Sequence, residues 1–204
     1  ILGGDIEAEV WQRGPSDKEL AALRALGQLS IGTRMQAMAS AGEADAPVAL
    51  KAVDSAWPMI GELKLKDGRS ARAPPPGGTW LAAGAAERLN VAVGDSVRIG
   101  GVDLKVAGII ATEPDSLSEG FALGAVAIVR DDVPARAGLT AAGSMYRTKM
   151  RVVLRPGLGP NAASEQLKKA FPASGFRLRT RDRAAPGAER FIENMGQFLV
   201  LVGL

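Results

Sequence analysis

Arg147, Lys149 and Arg151 stand at every second position of one extended stretch, and Arg177, Arg179 and Arg181 do the same in another. With the two-residue period of a strand, each triplet sends three cations to one side. If the two strands are neighbours in a sheet, both rows share a face, and that face suits acidic lipid headgroups or an acidic partner. Like charges placed directly opposite each other repel, so such a face must find carboxylates or a ligand. The plainer reading is a solvated sheet face. A second candidate is the pair Phe121 and Leu123, set in a loop beside Ser116, Ser118, Asp115 and Glu119. They could form an exposed apolar lip for a cargo or a second copy of the chain, or tuck into the domain.

Catalytic chemistry is poorly supplied. The chain has no Cys and no His, which removes thiolate nucleophiles, disulfides, the usual general base of a hydrolytic triad and the commonest metal ligand. Gly94-Asp95-Ser96 has the order of one esterase nucleophile block, but that block needs a His, so the triplet is a turn. Asp54 and Asp95 read as turn or capping carboxylates, and no pair of acids stands at a spacing suited to acid and base work. There is no GxxxxGK[ST] phosphate loop, so no nucleotide site is expected, and no metal site is identified. The 25 Lys+Arg against 22 Asp+Glu leave a net charge of +3. With three Trp, one Tyr and five Phe, no aromatic residue interleaves with a basic cluster as a nucleic-acid surface requires.

The elements that must carry these residues follow from periodicity. At 47% hydrophobic and 23% charged over 204 residues, the chain can bury a core without staples. Ile6-Glu7-Ala8-Glu9-Val10 alternates as a half-buried strand. Ser16 to Glu19 is a capping box opening a helix lined by Leu20, Leu23 and Leu26 and ended by Gly27. Extended runs at 30–39 and 48–53 flank a polar loop at 40–47. Pro74-Pro75-Pro76-Gly77-Gly78 is a break; a short strand at Trp80 and a helical turn or two over 85–89 follow. Residues 91–110 make a hairpin about Gly100-Gly101. Residues 113–121 form a long loop before a buried strand at 125–129. From Tyr146 come a strand, a helix opened by Pro160 with Ala163, Leu167, Ala170 and Phe171 inward, and a strand over 176–180. The expected architecture is α+β and two-lobed: a lobe of strand-helix-strand units from residues 1–56 and 146–190, with a β-rich lobe, 57–145, inserted. Trp57 and Trp80 flank that insertion as core or lobe-interface residues.

The ends carry a further expectation. Ile1-Leu2-Gly3-Gly4 has the look of an internal start, and Phe198 to Leu204 is apolar on every face. Seven residues cover about 10 Å as a helix, against roughly 20 residues for a crossing. The sequence therefore predicts that 191–204 begins a truncated transmembrane helix.

These pieces resemble the extracytoplasmic domain of FtsX-like ABC transporter permeases, the MacB-like periplasmic core domain. The resemblance is carried by Val48 to Asp54, by Leu89-Asn90-Val91-Ala92-Val93-Gly94-Asp95-Ser96-Val97 with the hairpin ending Val106-Ala107-Gly108-Ile109, and by the apolar close. A YbbP-like subgroup is similar through Glu113-Pro114-Asp115, Gly120-Phe121, Asp132-Val133, Gly138-Leu139, Gly143-Ser144 and Tyr146-Arg147. The resemblance implies a non-catalytic domain outside the cytoplasmic membrane, between the first two spans of a permease. It implies two paired permease protomers and a separate cytoplasmic ATPase subunit that hydrolyses ATP and moves the outer domains through the membrane helices. It also implies a hydrophobic or lipid-like cargo and, for the YbbP-like subgroup, a periplasmic esterase of the lysophospholipase and thioesterase type as partner. The alternative is a freestanding periplasmic binding or adaptor module.

Overall fold

Ser16 and Glu19 close the capping box that the sequence predicts. The Glu19 carboxylate accepts from the Ser16 N–H at 2.7 Å and the Ser16 hydroxyl accepts from the Glu19 N–H at 3.4 Å, which starts α1 at Asp17–Leu26. Leu23 and Leu26 are its buried apolar residues. Gly27 ends the helix for a different reason from the left-handed cap expected of a C-terminal glycine. Its φ of 163° is extended, and a Cβ there would sit 2.1 Å from the Val153 carbonyl oxygen. The next strand starts at once, pressed against a neighbour that leaves no room for a side chain.

The computed structural model describes residues 3–113 and 125–183. In chain order it contains β1 (Ile6–Trp11), α1, β2 (Gly27–Ala41), β3 (Ala44–Val53), β4 (Leu63–Leu65), β5 (Ser70–Ala71), β6 (Gly78–Ala82), α2 (Ala83–Leu89), β7 (Ser96–Ile99), β8 (Val102–Thr112), β9 (Ala125–Arg130), α3 (Val133–Arg136), β10 (Tyr146–Leu154), α4 (Pro160–Ala170) and β11 (Arg177–Thr180). Among the described residues the strands join one mixed sheet in the order β11-β1-β10-β2-β3-β9-β6-β8-β4-β5, with β7 on β2 and β8. The fold is α+β and dominated by the sheet.

Two strand-helix-strand units are present, β1-α1-β2 and β10-α4-β11, but in neither do the two strands pair with each other. β1 lies between β10 and β11, and β10 lies between β1 and β2, all antiparallel. This is the split, interlocked arrangement of ferredoxin-like sheets. The consequence for the site is direct: the two basic strands are separated by acidic β1.

The expected polar loop at 40–47 is instead strand. β2 and β3 run on to a tight hairpin at Gly42, whose φ of +60° suits glycine. The residues fall into three core clusters. One packs Ile6, Ala8, Val10, Met150 and Val152 against Leu23 and Leu26 of α1 and Ala163 and Leu167 of α4. A second gathers Leu50, Ala52, Leu81, Leu89, Ile99 and Leu104 about α2, and a third holds Trp57, Trp80, Leu63, Leu65 and Ile128. The second cluster takes residues from both sides of position 57. Ala39, Ala46, Val48, Leu50 and Ala52 of the β2–β3 hairpin belong to the second cluster, because these strands are long enough to leave α1 and α4 behind.

Arg13 ties the entry of α1 to the fold. Its guanidinium meets both Glu19 oxygens at 2.8 Å and donates to the Ser174 carbonyl. That bidentate contact, with further help from Ser16, holds the Glu19 carboxyl below the ordinary carboxylate range. A depressed folded pKa contributes stability above the unfolded value, about 4.3, and that contribution is lost as pH falls through the folded value. The difference in urea midpoint between wild type and Glu19→Gln is therefore expected to narrow between about pH 5 and pH 3. A gap that stays constant across this window would remove the ion pair from the account.

Candidate functional site

The sheet has two unlike faces around β1. Even-numbered Ile6, Ala8 and Val10 face the helices, so odd-numbered Glu7, Glu9 and Trp11 take the other side. Register then brings cations to them. Glu7 lies opposite Arg151 on one flank and Arg179 on the other; Glu9 lies opposite Lys149 and Arg177. Arg151 Nε donates to Glu7 Oε2 at 2.9 Å, Lys149 Nζ stands 3.5 Å from Glu7 Oε1, and an Arg179 terminal nitrogen stands 3.9 Å from the same oxygen. Glu9 Oε2 is 3.5 Å from Arg147 and 4.0 Å from Lys149.

This lattice is buried, contrary to the half-buried strand and the solvated face that the sequence suggests. Glu7 is 1% exposed, and Glu9, Lys149 and Arg151 are 3% exposed. Oε1 of each glutamate makes no hydrogen bond among the described residues, and for Glu7 the ion pairs supply the compensation at that atom. The strand ends at Thr180, so Arg181 leaves the expected row. It sits in a 3-10 turn, Arg181–Arg183, and pairs with Asp5 at 2.9 Å.

One register row extends the charge across four strands: Trp11, Arg147, Arg34 and Lys51 are successive cross-strand partners. Three cations thus stand side by side, an arrangement that costs free energy unless anions attend it. Glu113 pairs with Lys51, both side chains being buried. Arg34 donates to the Thr33 and Ala52 carbonyls. The Arg147 guanidinium lies 5.5 Å from the centre of the Trp11 ring, a cation-π contact. At this end of the row is a cavity of about 550 Å³, a volume typical of small-molecule pockets. Trp11, Met35, Leu139, Met145 and Tyr146 give it apolar walls, and Arg34, Lys51 and Arg147 give it cations.

Of the residues singled out from sequence, Arg147, Lys149, Arg151, Arg177 and Arg179 come together on this face. Phe121, Leu123 and the 191–204 segment lie outside the described residues. Glu7, Glu9, Arg34, Lys51 and Glu113 were not singled out. The alternation in β1 did announce Glu7 and Glu9, but their partners arrive from residues far along the chain. Among the described residues no group of three or more acidic side chains is placed to hold a metal, and no helix is long and apolar enough to cross a membrane.

The described residues thus form an α+β domain whose sheet carries a charged, pocketed face. The model of the MacB-like periplasmic core domain matches residues 4–170, and the chain belongs to that family. It is 32% identical over 108 residues to the uncharacterized ABC transporter permease YbbP of Escherichia coli strain K12, an alignment covering 53% of this chain and 13% of that one. The chain thus spans a small part of that relative. Solved structures with a similar fold include the periplasmic region of MacB from Actinobacillus actinomycetemcomitans, with TM-score 0.57, 14% identity and coverage of 95% of this chain and 94% of that one. The extracellular domain of the ABC-type transporter YknZ from Gram-positive bacteria gives TM-score 0.53 and 14% identity, covering 86% of this chain and 100% of that one. A permease domain from Porphyromonas gingivalis gives 0.55 and 13%, covering 88% and 92%.

Proposed function

We propose that this domain is the extracytoplasmic part of an ABC permease subunit, coupling ATP hydrolysis in a separate cytoplasmic subunit to the handling or export of a hydrophobic or lipid-like substrate. The observation that carries this reading is the family match across residues 4–170. In support, the domain presents binding chemistry, cations beside apolar walls. It works as a transmitting and binding part, anchored to the membrane, paired with a second permease protomer, and served by a periplasmic esterase in the manner suggested for its subgroup. Its two-lobed division is part of the same proposal: a lobe from the chain ends, joined to a middle lobe by the long β2–β3 hairpin.

The test is to express the whole permease gene with its ATPase partner, reconstitute the complex in proteoliposomes, and measure ATP hydrolysis with and without acylated amphiphiles. Stimulation by amphiphile is expected. Reversing Arg177 and Arg179 to Glu places acids beside Glu9 and Glu7, and is expected to abolish the stimulated fraction while basal hydrolysis persists. Stimulation that survives the reversal would leave the β11 row, Arg177 and Arg179, with no part in cargo handling, and ATP hydrolysis indifferent to every amphiphile would remove the cargo class. An unchanged melting curve for the double variant excludes misfolding as the cause of any loss.

A further inference from the structure

The geometry points to the cavity beside Trp11 as a binding site for a single amphiphilic anion, an acyl or alkyl chain ending in a carboxylate or phosphate, with Arg147 as its charge contact. Three observations converge. The cavity, about 550 Å³, has cations but no carboxylate in its lining. Its row places Arg147 directly opposite Arg34, which in turn faces Lys51, so an anion delivered there relieves like-charge repulsion. Finally, two large apolar side chains remain in solvent at its mouth, Trp11 at 51% and Met145 at 66% exposure, held together through Gln12, whose side chain reaches the Met145 sulfur at 3.1 Å.

The three cations are not equivalent. Lys51 is committed to Glu113, whereas the Arg147 guanidinium meets a carboxylate only at 3.5 Å among the described residues. Its contacts there are the 3.5 Å approach of Glu9 and the face of Trp11. Its side chain, 32% exposed against 4% for Lys51, is the one within a ligand's reach. A headgroup bound to Arg147 leaves its chain against Trp11, Met145 and Leu139, so charge fixes the orientation and the apolar wall supplies the burial. A simple anion lacks the second part and an uncharged amphiphile lacks the first. As a statement of cargo class this rests on the permease reading above; as a binding site it does not.

The chain carries its own reporter. Trp57 and Trp80 are 3% and 2% exposed, so a contact quencher in solution reads Trp11. Dodecanoate brominated along its chain should quench Trp11 fluorescence saturably, below its micelle concentration. Unbrominated dodecanoate and dodecyl phosphate should compete, and the stronger of the two identifies the headgroup. Inorganic phosphate and an uncharged dodecyl glycoside should not. Arg147→Gln is expected to weaken binding about tenfold, the loss of one charged contact, and Met145→Glu to weaken it as much from the apolar side. Non-saturable quenching, equal competition by the uncharged glycoside, or an unchanged affinity in Arg147→Gln would each overturn the proposal. Because binding alone is read, such a failure leaves the coupling to ATP standing, and failure of the coupling leaves the site standing.

Discussion

Glu7→Ala is expected to destabilise the domain by about 3–5 kcal/mol, the cost of removing one partner from a buried ion pair. At this chain length that lowers Tm by on the order of 10 °C. The glutamate, 1% exposed, takes a 2.9 Å hydrogen bond from Arg151 and has Lys149 at 3.5 Å and Arg179 at 3.9 Å. Alanine leaves Arg151 and Lys149 buried with one carboxylate fewer between them, and the penalty is their unmet desolvation, not the loss of an attraction. Glu7→Gln separates charge from shape: it keeps the volume and one acceptor, yet removes the charge, so it should show most of the loss. Arg179→Ala acts on the same oxygen from a half-exposed position, where screening by water limits the effect to about 1 kcal/mol or less. Equal losses for Glu7→Ala and Arg179→Ala would mean that water reaches the lattice, and the buried description of this face would fail. A double-mutant cycle of Glu7 with Arg151 reads the coupling directly.

The strands and helices were legible where the signal is local. The β7–β8 hairpin follows from Val97 and Ile99 alternating toward Gly100, which takes the positive φ the turn needs, and α1 follows from its capping box. The basic rows were legible as rows for the same reason. What the sequence does not display is pairing across the chain. Ile6 to Val10 reads as half-buried because its acids look like a wet face; that face is dry because β10 brings Lys149 and Arg151 opposite, a register set by the whole sheet. Residues 40–47 read as a loop because the stretch is polar between two extended runs. Pairing with β2 nonetheless carries the strand through Pro47, which stands opposite Met38, to the turn at Gly42. The pocket was beyond reach of sequence for a third reason: its row draws one residue from each of four strands, and Trp11, Arg34 and Lys51 carry no shared spacing.

Asp54→Ala is expected to cost about 2–4 kcal/mol, from the loss of several charge-assisted hydrogen bonds at once and the backbone donors it leaves behind. Asp54 follows the last residue of β3, where the ladder to β2 stops at the Val53–Gly32 pair. One position further, its carboxylate takes the place of the missing strand: Oδ2 accepts from the Ile31 N–H at 2.6 Å and Oδ1 from the Ser30 hydroxyl at 2.8 Å. The same Oδ1 accepts from the Ala56 and Trp57 N–H groups at 3.1 Å, which closes the turn that delivers Trp57 to the third core cluster. A single side chain thus extends the sheet and fixes the turn after it. Alanine frees both, while Asn retains one acceptor and is expected to recover about half the loss. Amide exchange offers the sharper reading: protection of the Ile31 and Trp57 amides should fall in Asp54→Ala more than protection in β10, which keeps its own ladder to β1. Uniform loss across the sheet would instead mark Asp54 as part of one cooperative unit, with no local role as the cap of β3.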